Sequence, residues 1–322
     1  MSDLPKISII TPSYNQGHYI EETIVSIIGQ GYPNLEYIII DGGSKDGTVD
    51  VIKKYEEHIT YWVSEKDAGQ SDAINKGLKM ATGDIVAWLN SDDIYTPGTL
   101  KVIGELFASN PETGIAYGDV ESFFPDGKTE IWKNDFQAPD FFSRVSIHQP
   151  GVFWRRDLHD VYGYLDASFY YLMDYDLWAR LFFNVQSKRV NQVLARFRVH
   201  DNAKTGNNPI GLYDDYRRVI SRIGRSLPDG SLLAKLKHLG VYHNTEEAVY
   251  PAFRDLTKAE QEQLLDEYLN SYIQQEYTRG HIGNTNRLIA QSMGLGHQGN
   301  KLKTLLKNNL GIGKLKHVPH AK

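Results

Sequence analysis

The chain has 322 residues, 41% of them apolar and 23% charged, enough to bury a core in two domains or in one large α/β domain with an appendage. It contains no cysteine, which excludes disulfides, thiolate zinc sites and a cysteine nucleophile, and agrees with a reducing cytoplasm. A net charge of −5 argues against a protein that simply coats nucleic acid. No apolar run approaches the length of a membrane span, and Met1 to Lys6 carry no apolar signal core.

Lys6 to Thr11 (KISIIT) predicts a strand that runs into a turn, Pro12 to Gly17. Ile20, Ile24, Ile27 and Ile28 then follow the spacing of an amphipathic helix over Tyr19 to Gln30. Leu35 to Asp41 reads as a second buried strand, followed by Gly42 and Gly43 and by a helix carrying Val49, Ile52 and Tyr55. An aspartate at a strand end before glycines either accepts hydrogen bonds from a base or ribose, or caps the helix that follows; Asp41 on its own admits both. The G-x-G-x-x-G and Walker A fingerprints are absent. Ile59 to Ser64 is a third strand and Ser71 to Ala81 a third helix.

Gly83 to Asp93 (GDIVAWLNSDD) is the stretch around which the rest is organised. Ile85 to Leu89 is nearly all apolar, as in a strand buried on both faces, and it ends in two adjacent carboxylates. In an open α/β sheet, ligands bind outside the carboxyl ends of the strands. Like charges placed there point to a bound cation, with a solvated acidic turn as the alternative. A helix over Leu100 to Phe107 and a strand over Gly114 to Val120 follow, then a hairpin through Pro125-Asp126-Gly127 to Trp132. Asp174 and Asp176 open a helix, where acidic residues complement its dipole. Val190 to Val199 is a strand ending at His200. Residues from Asp201 to Pro209 read as a linker, and helices are expected over Leu212–Ile223, Glu246–Arg254 and Lys258–Tyr277. Asn300 to Lys322 holds six lysines and no acidic residue, with Leu302, Leu305, Leu306 and Leu310 on one helical face. A helix of that kind lies on an anionic bilayer or packs on its own domain. Alternating strands and helices predict a parallel, doubly wound sheet.

Seven segments stand in order between about Lys6 and Lys204: ISIITPSYN, LEYIIIDGGSKDGT, SEKDAGQSDAINKG, GDIVAWLNSDD, HQPGVFWRR, MDYDLWARL and FRVHDNAKT. Together they resemble glycosyltransferase family 2. The resemblance implies a GT-A fold: a Rossmann-like, mostly parallel sheet flanked by helices. Residues 1–205 would form the nucleotide-sugar-binding and catalytic domain, and 206–322 a helical C-terminal region with a basic tail. It implies that Thr11, Pro12, Tyr14, Asp41, Asp67 and Asp92 bind the nucleotide sugar, that Asp93 and His200 hold Mn2+ or Mg2+, and that Asp174 is the general base. The implied reaction moves a sugar, with inversion, from a UDP-sugar to a hydroxyl of a glycan or lipid-linked glycan in surface polysaccharide assembly. The lack of cysteine and of a signal core points to the cytoplasm, and the basic tail offers a peripheral membrane contact. The chemistry is coherent: a cation neutralises the departing diphosphate, and one carboxylate takes the acceptor proton.

Three positions depart from the family pattern. Asn90 replaces the first aspartate of a D-x-D motif, Gly42 follows Asp41 in place of a second aspartate, and Met173 replaces the glutamate before the base. A silent nucleotide-sugar-binding protein and a sugar-phosphate nucleotidyltransferase are the rival readings. The second would want a basic N-terminal loop, and Thr11 to Gly17 has neither lysine nor arginine.

Overall fold

The computed structural model describes residues 4–136, 141, 147–200, 209–243, 249–251 and 253–294. The expected basic tail and the 201–208 linker lie outside them.

The first half alternates as the periodicity requires: β1 (Ile7–Ser13), α1 (Ile20–Ile28), β2 (Leu35–Asp41), α2 (Thr48–Lys54), β3 (Tyr61–Ser64), α3 (Gln70–Met80) and β4 (Ile85–Trp88). These four strands pair in parallel in the order β3-β2-β1-β4. Every residue of β1 and β4 is buried, as expected of strands covered on both faces. Helix α3 sits close to β1 because Gly77 has no side chain: a Cβ there would lie 2.4 Å from Ile10 Cγ2. Their carboxyl ends share one edge, and the loops after them form the crevice.

Beyond β4 the sheet becomes mixed. The elements are β5 (Ile94–Tyr95), α4 (Thr99–Ser109), β6 (Ile115–Phe123), β7 (Thr129–Trp132), β8 (Val152–Arg155), α5 (Leu158–Tyr162), α6 (Met173–Phe182) and β9 (Ser187–Arg198). The sheet continues β4-β8-β6-β9-β5, with β8 antiparallel to both β4 and β6 and β5 antiparallel to β9. The α/β class stands: the first four strands are parallel, β6 and β9 also pair in parallel, and the antiparallel pairings are those of β8, β7 and β5. The predicted hairpin forms, with Phe123 opposite Thr129 and Gly127 at φ +84° in its turn.

Trp88, Trp154 and Trp178 anchor the central strand. Trp88 stacks on Trp178 at 5.7 Å between ring centroids, and Trp154 meets both edge-on at 5.5 and 5.6 Å. Each such contact contributes roughly 0.5–1.5 kcal/mol beyond the area buried. They join β4, β8 and α6, so the strand before the acidic turn and the helix bearing Asp174 share one rigid core.

Helices α7 (Pro209–Ser226), α8 (Ser231–Leu239), α9 (Lys258–Thr278) and α10 (Ile282–Gly294) follow. The helix expected over Glu246–Arg254 is not helical in its described part: Val249 and Tyr250 have no regular structure and Pro251 lies in a turn. Proline lacks the N–H a helix needs and biases Tyr250 away from helical torsions. Tyr250 instead sends its hydroxyl to Asp176, 2.8 Å away.

Candidate active site

Of the residues that the resemblance assigns to the nucleotide sugar, Thr11, Pro12, Tyr14, Asp41 and Asp67 lie at the ends of β1, β2 and β3, and Asp92 follows β4. Thr11 and Pro12 are buried in β1, and Thr11 Oγ1 accepts a hydrogen bond from the Tyr37 hydroxyl at 3.2 Å. Tyr14 leaves the strand with 62% of its surface exposed. Gly42 follows β2 between Tyr14 and Asp67: a Cβ there would stand 2.8 Å from Asp67 Oδ2 and 3.2 Å from Tyr14 Cδ2. A second aspartate at that position would require the Asp67 carboxylate to shift. Asp67 also accepts from the Gly69 N–H at 2.9 Å. Asp41 is fully buried and organises this edge. Its Oδ2 accepts from the N–H groups of Gly43 and Ser44 and from the Ser64 hydroxyl, and its Oδ1 from the Ser44 hydroxyl.

The acidic turn after β4 divides its two carboxylates. Asp92 is partly exposed and its Oδ2 lies 3.0 Å from His200 Nε2, across 108 residues of sequence. Asp93 turns inward and is fully buried. Its Oδ1 accepts from the Arg198 N–H at 3.1 Å, and its carbonyl accepts from the Thr23 hydroxyl at 2.7 Å. Burial, and then repulsion from Asp92, push the Asp93 carboxyl well above the usual range. The resemblance assigns Asp93 and His200 to the cation; the structure brings Asp92 to that imidazole. Asn90 bridges the turn, its Oδ1 accepting from Gln70 Nε2 at 2.9 Å.

His200 is nearly buried against Tyr19, ring centroids 4.9 Å apart. Its Nδ1 is buried with no hydrogen-bond partner among the described residues. No group of three or more His, Asp or Glu side chains converges among those residues. The available protein donors are therefore the Asp92 carboxylate and the imidazole Nε2 beside it. That set fits Mn2+ or Mg2+ held jointly with phosphate oxygens and water, the usual arrangement for a cation that travels with its substrate. Arg198, which sequence reasoning passed over, ties this corner together. Its Nε donates to the Asp92 carbonyl at 3.1 Å, Nη2 meets Glu22 at 2.9 Å, and the guanidinium lies over Tyr19. Its place two residues before His200 was the available signal.

At the start of α6 the two aspartates have opposite environments. Asp176 has 1% of its side chain exposed and is surrounded by Arg180 at 2.9 Å, Arg222 at 2.8 Å and the Tyr250 hydroxyl at 2.8 Å. Asp174 is partly exposed, with Oδ1 accepting from the Tyr175 N–H at 2.8 Å. Met173, where the family has glutamate, is buried, and its sulfur accepts a hydrogen bond from the Ser71 hydroxyl. A carboxylate at that position would enter an enclosed site beside α3.

The family described as Glycosyl transferase family 2 matches residues 8–167. An uncharacterised glycosyltransferase of Rickettsia typhi is 31% identical over 229 residues, covering 67% of this chain and 71% of that protein. A putative teichuronic acid biosynthesis glycosyltransferase of Bacillus subtilis is 45% identical over 102 residues, 30% of this chain and 40% of its own length. Among solved structures, S. aureus TarS 1-349 in complex with UDP-GlcNAc is similar with a TM-score of 0.61 at 18% identity, over 93% of this chain and 83% of that one.

Proposed function

This chain belongs to glycosyltransferase family 2 and has the GT-A fold, and from that premise we propose that it transfers a sugar from a UDP-sugar to a hydroxyl of a glycan or lipid-linked glycan in surface polysaccharide assembly, inverting the anomeric centre. The observation that carries the reading is the meeting of Asp92 and His200 at the crevice, from strand ends distant in sequence. The Bacillus relative's teichuronic acid assignment supports the polysaccharide context, and the UDP-GlcNAc bound to TarS supports the nucleotide.

In this reading Thr11, Pro12, Tyr14, Asp41 and Asp67 form the nucleotide edge. Tyr14 offers an exposed ring to the base, while Asp41 fixes the backbone the nucleotide approaches. Asp92 and His200 hold the cation, and buried Asp93 holds the turn that carries Asp92. A bound Mn2+ or Mg2+ supplies Lewis acidity toward the departing diphosphate. Asp174 takes the proton from the acceptor hydroxyl as that oxygen attacks the anomeric carbon. Asp176, enclosed by two guanidiniums, holds α6 in place and leaves the base role to Asp174. With one base and no enzymic nucleophile, attack comes from the face opposite the leaving group and inverts the centre, as in single-displacement glycosidases. Residues 1–205 carry the chemistry, and α7 and Tyr250 of the C-terminal region brace α6. No helix among the described residues is long and apolar enough to cross a membrane. For the basic tail the two readings stay open, contact with an anionic membrane or packing on its own domain.

The test is calorimetry of UDP binding, with manganese and with EDTA. Manganese is expected to raise affinity at least tenfold in the wild type, and Asp92→Ala or His200→Ala to remove that increment. Equal affinities in manganese and EDTA would refute the metal assignment.

A further inference from the structure

Helix α6 begins without a cap of its own. Leu172 occupies the capping position, and leucine has no oxygen to offer the first backbone N–H groups. The two N–H groups that lead into the helix find their acceptor on another helix, 43 residues further on. Asp215 of α7 is buried, and its Oδ2 accepts from the N–H of Tyr171 at 2.8 Å and of Leu172 at 3.1 Å. An anion here also meets the positive end of the α6 dipole.

Asp215 is the first of three charged residues on one face of α7. Arg218 and Arg222 follow at the i+3 and i+7 positions and continue the contact. Arg218 donates to the carbonyl and hydroxyl of Ser168, and its guanidinium lies 3.8 Å from the Phe169 ring centroid. Arg222 bridges Asp166, at 2.6 Å, to Asp176, at 2.8 Å. One helix face therefore grips the segment entering α6, the two amides just ahead of its first residue, and its second aspartate. Asp174 lies in the first turn, between the residues gripped.

We propose that Asp215 is a positioning residue for Asp174: by holding from α7 the two amides that lead into α6, it fixes the first turn in the place where the base meets the acceptor hydroxyl. The proposal rests on Asp174 being that base. A side chain that defines the geometry of a reacting group need not touch substrate, and a displacement of about 1 Å at such a group can cost roughly 100-fold in rate.

Hydrogen exchange and turnover on the full chain test it together. UDP-N-acetylglucosamine is the probe, with release of UDP by hydrolysis as the activity readout, water replacing the acceptor. In Asp215→Ala the amides of Tyr171 and Leu172 are expected to exchange at least about tenfold faster, while those of β1 and β4 keep their protection. Turnover should fall about 10- to 100-fold with UDP affinity unchanged. Asp215→Asn, whose amide oxygen still accepts both hydrogen bonds, should recover most of the rate. In Asp174→Asn, the added Asp215→Ala should cost little more, because the group being positioned is already lost. Unchanged exchange at Tyr171 and Leu172 would overturn the proposal, as would faster exchange with undiminished turnover. A parallel loss of UDP affinity would also overturn it, reducing Asp215 to a general stability role. Normal turnover in Asp174→Asn would instead refute the base assignment, a result separable from the others.

Discussion

Asp174 and Asp176 stand two residues apart, and their environments predict opposite phenotypes for the same change. Asp176→Asn keeps the side-chain shape but replaces one carboxylate oxygen by an N–H2 group. That group must face Arg180, Arg222 or the Tyr250 hydroxyl, each now within 2.9 Å of an acceptor oxygen. Arg222 retains Asp166, and Arg180 retains the carbonyls of Tyr162 and Tyr164, so both charges stay buried with their compensation reduced. Breaking a buried pair of this kind typically costs about 3–5 kcal/mol. At roughly 2 °C per kcal/mol for a chain this long, Tm should fall by roughly 6–10 °C. Activity below the melting transition should stay within a few-fold of the wild type. Asp174→Asn reverses the pattern: Tm within about 2 °C, UDP affinity unchanged, and transfer reduced roughly 10²–10⁴-fold by loss of the base. Scanning calorimetry and UDP release measure the two quantities on the same samples. An Asp176→Asn protein with normal Tm and a large loss of transfer would refute this division and move the base two residues along.

Two further outcomes follow from other regions. Burial alone would raise Glu36, but hydrogen bonds from Lys6, Ser8 and Thr82 outweigh it and hold its carboxyl at about 2. Because the folded value lies below the ordinary 4.5, its stabilisation is complete above about pH 4.5 and fades as pH falls toward 2. Glu36→Gln should therefore melt below the wild type at pH 7, with the gap closing between about pH 4.5 and 2; a gap independent of pH in Tm measurements would contradict this. For the basic tail, anionic vesicles should sediment the full chain and leave behind a chain ending before Asn300, and equal sedimentation would end the membrane reading.

The first four strands were legible because strands buried on both faces have near-continuous apolar sequences, and KISIIT and LEYIIID are such runs. The acidic turn, His200 and Asp174 were legible as residue types at strand or helix ends. Their division of labour was not. Asp92 and Asp93 are adjacent and chemically identical, and only the Thr23 and Arg198 contacts decide which turns inward. Met173 looked anomalous until α3 placed the Ser71 hydroxyl against its sulfur. The antiparallel strand β8 was hidden because VFWR is too short for a pattern of period two to be distinctive. The Asp215, Arg218 and Arg222 face was present in the spacing of α7, but nothing local says that a helix face of charges is buried against another helix.

The two-residue strand β5 has a consequence for how the molecule is made. Strands β4 and β5 are joined by residues 89–93, yet they occupy the fourth and eighth places in the sheet order. The acidic turn is thus the seam at which the sheet curls back on itself, and β9 closes it by pairing Ile94 with Arg196. The contacts of Asp93 with Arg198 and of Asp92 with His200 span 105 and 108 residues, so their loop entropy must be overcome before either forms. During synthesis, β1 to β4 can pair as soon as they emerge, whereas the seam must wait for β9 and His200. A nascent chain halted before Arg196 would have its nucleotide edge formed and its acidic turn still open.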